Sequence, residues 1–150
     1  MITKHAKHGI AAVLTCLILI GGCSTNQYAI TEPVTAPKTV RLHVENHRNA
    51  KSYSRDFVAV LESAGFVVAS TDNPDALELT VGFNPNIFAT GFEVQLTQRG
   101  IVLIKVDSTN YGWGTGVGRG AAIDNLASNT WRAFADQLDE LKPRLTIVSD

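Results

Sequence analysis

The stretch Ile10–Cys23, IAAVLTCLILIGGC, constrains this chain more than any other, because it is apolar for most of its length and precedes every patterned segment. Ahead of it stand Lys4 and Lys7, with His5 and His8, and no acidic residue. Ile10 to Ile20 is an unbroken run of apolar or small residues. That length suits the core of a secretory signal and falls short of the roughly 20 residues a helix needs to cross a bilayer. The run therefore predicts a removable export signal rather than a lasting membrane helix. It closes on Gly21 and Gly22, whose missing side chains let a peptidase admit an extended backbone, and then on Cys23, whose thiol is a nucleophile.

Ile20-Gly21-Gly22-Cys23 resembles the lipobox of bacterial lipoproteins, an aliphatic residue and two small ones before the cysteine that takes a diacylglyceryl thioether. It departs from the commonest form in having Ile rather than Leu three residues before the cysteine and Gly at the next place. The resemblance implies cleavage between Gly22 and Cys23 and a mature N-terminus carrying diacylglyceryl and N-acyl groups on Cys23. No other cofactor is expected. Each buried methylene contributes about 0.8 kcal/mol, so more than one chain holds a protein on a membrane durably. Ser24, where an Asp would signal inner-membrane retention in the enteric sorting rule, points to the inner leaflet of the outer membrane, facing the periplasm.

Removing residues 1–22 from the 150 leaves 128, enough for one domain with its own core. Cys16 leaves with the signal and Cys23 takes the lipid, so no disulfide forms within one mature chain and the fold stands on packing. Lys4 and Lys7 also leave, so 11 of the 13 Lys and Arg face 14 Asp and Glu, a formal charge near −3. Nothing in that balance suggests nucleic acid.

Residues 23–38 combine the lipidated cysteine with two prolines and small polar residues, the composition of a flexible tether. A short edge strand through Tyr28 and Ile30 is the alternative. A single domain is expected over 39–142, followed by a tail over 143–150. Thr39 to Glu45 alternates, with Val40, Leu42 and Val44 on one face, as a half-buried strand does. Ser52 is a candidate cap for a helix whose stripe is Tyr53, Phe57, Val60, Leu61 and Ala64, and Gly65 ends it. Strands follow at Phe66–Ser70 and Leu77–Phe83, then through Phe92, Val94 and Leu96. Gln98-Arg99-Gly100 turns into Ile101–Val106, whose consecutive apolar residues suggest a central strand covered on both faces. Asp107–Asn110 is expected to turn. Ala121–Leu141 is a long helix with the stripe Ile123, Ala127, Thr130, Phe134, Leu138 and Leu141, stopped by Pro143.

The order β-α-β-β-β-β-α predicts an α+β fold, two helices on one face of a mostly antiparallel sheet of four or five strands. Leu61–Phe83, LESAGFVVASTDNPDALELTVGF, resembles a passage of small envelope lipoproteins with an α/β-sandwich domain, among them the lipopolysaccharide-assembly lipoprotein. That resemblance covers 23 of the 128 mature residues, implies the fold class and carries no site residues across.

Gly112, Gly114, Gly116, Gly118 and Gly120 lead into the last helix, where free N–H groups can cradle phosphate. Their spacing matches neither the P-loop nor G-x-G-x-x-G in a parallel unit. A closely packed or contact-making loop is the simpler reading, with Tyr111, Trp113, Gly114 and Gly116 as candidate partner contacts. His43, Glu45 and His47 share the parity of one strand face and form a minimal zinc set, although a solvated polar face has the same pattern. No G-x-S-x-G and no free cysteine support nucleophilic catalysis, and no catalytic residue is expected. Trp131, beside the helical stripe, reads as core edge rather than a ligand-stacking residue. The expectation is a non-enzymatic, lipid-anchored module docking on an envelope protein, with a lipid- or glycan-binding lipoprotein as the alternative. Either is held to membrane lipid through Cys23.

Overall fold

The computed structural model describes residues 23–25, 32–86, 89–111 and 119–149. The expected alternation and helical stripes appear in the expected order, with three further strands. In chain order these elements are β1 (Cys23–Thr25), β2 (Val34–Pro37), β3 (Thr39–Val44), α1 (Arg48–Ser63), β4 (Val67–Val68), β5 (Leu77–Pro85), β6 (Ala89–Gln98), β7 (Ile101–Tyr111), α2 (Arg119–Leu141), a 3₁₀ turn at Lys142–Arg144 and β8 (Leu145–Val148). Six strands form one sheet in the order β1-β7-β6-β5-β3-β4, and β2 with β8 forms a second, parallel pair. The joins of β5 to β6, β6 to β7 and β7 to β1 are antiparallel, while β3 runs parallel to both β4 and β5 across the α1 connection.

Period-two alternation sends Leu77, Leu79, Val81 and Phe83 of β5 inward beside Phe92, Val94 and Leu96 of β6. α1 and α2 cover this face and touch each other, with Phe57 of α1 edge-on to Phe134 of α2 at 6.0 Å. Both side chains are fully buried. The opposite face carries charges instead, as a solvated antiparallel face does. There Lys105 sits 3.0 Å from Glu93 and 3.4 Å from Asp107, and Arg41 sits 3.6 Å from Glu78.

Local chemistry moves several boundaries. α1 begins at Arg48 rather than after Ser52, because Nδ1 of His47 accepts the Asn49 N–H at 3.1 Å and serves as the N-cap. Its end follows the sequence: Gly65 takes a φ of +95°, Gly65 N–H donates to Glu62 and Phe66 N–H to Leu61, and Phe66 and Leu61 are both buried. This is a Schellman ending. Only Val67 and Val68 of the expected Phe66–Ser70 strand pair, at the edge beside β3. At the hairpin joining β6 to β7, Arg99 and Gly100 both have positive φ, 49° and 77°, as a two-residue I′ turn requires.

Three expectations for the later strands and the chain ends are corrected. Asp107–Asn110 does not turn: β7 continues to Tyr111, paired residue by residue with β6 up to Ala89. Nor is β7 covered on both faces, since Ile101 is 65% exposed. Leu103 and Ile104 are buried in succession because a register shift near Leu96/Thr97 inserts an extra residue, which lets neighbours point the same way. Finally, parts of the expected tether and tail are strands. Cys23–Thr25 occupies the edge of β7, whose backbone groups lack a partner on that side without it, and Val34–Pro37 pairs with Leu145–Val148. Ala36 is fully buried there, and Gln98 Nε2 donates to the carbonyls of Thr35 and Asp75, both at 2.9 Å, tying the small sheet to the main one. Tyr28 and Ile30 lie outside the described residues.

Candidate functional site

Each helix follows a strand that ends at the same end of the sheet, so α1 and α2 run the same way, side by side. Their buried stripes meet at Phe57 and Phe134, and the small residues flanking those stripes leave the outer side of the contact unfilled. Asp56, Ala59, Val60, Ser63 and Ala64 of the α1 segment face Trp131, Ala135, Leu138 and Asp139 of α2 across a groove of about 450 Å³ that opens to solvent. Leu138 is buried at its floor and Val60 and Trp131 are half-buried. Asp56 and Asp139 make one part of the rim acidic, while Lys142, 3.5 Å from Asp139, closes the lower end.

Trp131 lies at the core edge, as expected, and also lines the groove. The Arg132 guanidinium is 5.4 Å from its ring centroid. Such a cation over an indole contributes about 0.5–1 kcal/mol when exposed. Toward the helix N-termini the groove is closed off by a cross-helix tie. The Tyr53 hydroxyl donates to the Asp124 carboxylate, and the Tyr53 ring stands edge-on to Phe92 at 5.5 Å. The bond to Asp124, then burial and the negative charges of Asp124 and Asp56, push the Tyr53 hydroxyl up to about 12. A phenol so held is a structural donor at neutral pH. The groove offers apolar contact and a rim of charge.

The other sequence candidates fall elsewhere. His43, Glu45 and His47 do not converge. His43 is exposed on β3, His47 caps α1 and stacks on Phe83 at 4.6 Å, and Glu45 folds over Gly82 to accept the Phe83 N–H at 3.2 Å. Glu45 thereby replaces the backbone acceptor that β5 loses where β3 ends. Among the described residues no three His, Cys, Asp or Glu side chains gather as metal ligands do. Tyr111 is the last residue of β7 and 77% exposed, whereas Trp113, Gly114 and Gly116 lie outside the described residues. On the polar sheet face, hydrogen bonding from Lys105, with a smaller contribution from Gln95, holds the Glu93 carboxyl below its ordinary range, and Glu93 raises Lys105 in return. At the hairpin, the bond from Arg99 lowers Asp75. These pairs are partly or fully exposed and brace the sheet surface.

The groove residues Ala59, Ser63 and Ala135 were not singled out from sequence. Their signal was present, as small residues at helical spacing just outside the stripes of two helices whose tryptophan sits at the stripe's edge.

No protein-family model matches the chain, and no curated protein does. Among solved structures, the chain is similar to a minor lipoprotein from Acinetobacter baumannii, at 14% identity over 69% of this chain and 89% of that one, with a TM-score of 0.40. It is also similar to a PelC L103M dodecamer from Paraburkholderia phytofirmans, at 14% identity over 70% and 93%, with a TM-score of 0.39.

Proposed function

We propose that this chain is a lipoprotein precursor, cleaved before Cys23 and acylated there, whose folded domain acts without catalysis as a docking or assembly module of the envelope. The observation that carries the reading is the succession of basic flank, short apolar run and Ile20-Gly21-Gly22-Cys23. In this reading the acyl groups on Cys23 supply the attachment to the membrane. Ser24 favours the inner leaflet of the outer membrane. Anchoring confines the domain to a thin layer and raises its effective concentration toward partners there, without stronger contacts. The α1–α2 groove suits a partner's apolar side chains, since it is open along one side where an enclosed ligand site would surround its occupant.

The test is photo-cross-linking on intact cells, with the probe at Ala59 or Ala135 and the N-terminal peptide followed by mass spectrometry. One envelope protein captured in near-equal amount from the groove positions, and not from an exposed control such as Asp72, supports docking. Acylated Cys23 with no captured protein favours the alternative, a lipoprotein binding lipid or glycan in a groove whose volume falls within the roughly 300–1,000 Å³ of ligand sites. An unmodified Cys23, or a mature terminus elsewhere, overturns the anchor.

A further inference from the structure

The pairing of β1 bears on how an anchored domain stands on its membrane. Cys23 lies opposite Ser108, and because β1 runs antiparallel to β7, the chain enters β1 from the end of the sheet where β7 finishes. Ser108 is three residues short of Tyr111, about 10 Å at roughly 3.4 Å per residue. Acyl groups on Cys23 would therefore emerge from the folded sheet itself, close to Tyr111, and not from the far end of a tether.

The same end has the surface a headgroup layer takes. Tyr111 is 77% exposed at the tip of β7, beside Ala89 of β6. An aromatic ring with a hydroxyl is the side chain that settles at a membrane–water boundary, apolar body inward and polar tip wet. Arg48 and Lys51 stand exposed on the first turn of α1, which contains no acid. Of the carboxylates at this end, Asp107, opposite Ser24, is paired with Lys105, while Glu45 and Asp124 accept from the Phe83 N–H and the Tyr53 hydroxyl and keep their charge. Lys51 Nζ donates to Asn46 Oδ1 at 2.8 Å and stays at the surface. Exposed cations at this end of the sheet complement anionic headgroups at about 1 kcal/mol each near a charged surface.

We infer that the sheet end that carries Tyr111 on β7 and, beyond β3, Arg48 and Lys51 at the start of α1 rests on the bilayer surface next to acylated Cys23, an orientation that rests on the anchoring proposed above. The C-terminal halves of α1 and α2, and the groove between them, then face away from the membrane and stay open to a partner.

The test uses the mature acylated protein in vesicles of phosphatidylethanolamine and phosphatidylglycerol. An environment-sensitive fluorophore is placed on one cysteine at a time, in Tyr111→Cys, Asn110→Cys or Glu62→Cys. All three positions are exposed, so the fold tolerates them. Headgroup-level quenching several-fold stronger at 110 and 111 than at 62, weakened by the double variant Arg48→Glu, Lys51→Glu, is the expected result. Equal quenching at all three positions, or stronger quenching at 62, overturns the orientation while leaving the anchor intact. Absence of acyl groups on the Cys23 peptide of the same sample overturns the anchoring reading and the orientation with it.

Discussion

Replacing Tyr53 by Phe removes one oxygen and leaves the ring edge-on to Phe92, so the variant isolates the tie between α1 and α2. A hydrogen bond to a charged group contributes about 1.5–3 kcal/mol when buried. Tyr53 is half-buried and Asp124 exposed, so water competes for both and the Asp124 carboxylate is resolvated once released. The net loss is then about 1 kcal/mol, and at this size a fall in Tm of about 4 °C. The pH dependence is the sharper test. The hydroxyl is raised from 10.0 to about 12 in the folded protein, so its contribution is fully present below pH 10 and is lost as pH rises through about 12. Urea denaturation of both proteins should show a constant advantage for the wild type from neutral pH to just below 10, which then falls steadily as pH rises toward about 12. The difference in phenolate absorbance between the two should place residue 53 near the upper value. Equal stability at neutral pH, or ionisation of residue 53 near 10, would refute the tie.

Phe134→Ala should cost about 3–5 kcal/mol in denaturant melts, because Phe134 is fully buried against Phe57 and its loss leaves a cavity at the helix contact. His47→Ala should cost about 1 kcal/mol, with hydrogen exchange accelerating in the first turn of α1 and unchanged in α2. Two glycines should respond oppositely to Ala, as calorimetry can show. At Gly91 the new Cβ would sit 2.7 Å from the Ser108 carbonyl oxygen, an atom that moves only with the ladder, and Tm should fall. At Gly120 nothing lies within 4 Å, and Tm should hold or rise.

Where a segment carries its own period, the fold was legible from sequence. Leu77 to Phe83 alternates because one face meets α1 and α2, and Ile123 to Leu141 repeats at three and four because α2 lies on β6 and β7. Features set by a distant partner were not legible. Val34–Pro37 and Leu145–Val148 are each too short to show a period, and each becomes a strand only because the other is there. The burial of both Leu103 and Ile104 depends on a register shift against β6, and in the apolar pattern its mark is a run that equally fits a strand covered on both faces. The His47 cap was hidden by Ser52, a commoner capping residue five positions later, which drew the expected helix start toward itself. Of the groove, Trp131 was placed correctly at the core edge, but the groove itself needs the relative placement of two helices.

The parallel pair β2 and β8 joins a strand near the start of the folded domain to one near its end, and Lys38 N–H reaches the Val148 carbonyl at 3.1 Å. A chain made or delivered from its N-terminus therefore holds β2 without a mate until almost its last residue has arrived. The central sheet can assemble earlier, but the seam that shields Ala36 closes last, through one of the longest-range contacts the topology contains. Loss of only a few residues from the C-terminus would leave that seam open, baring a strand edge and an apolar patch by which a protease can distinguish unfinished copies from complete ones.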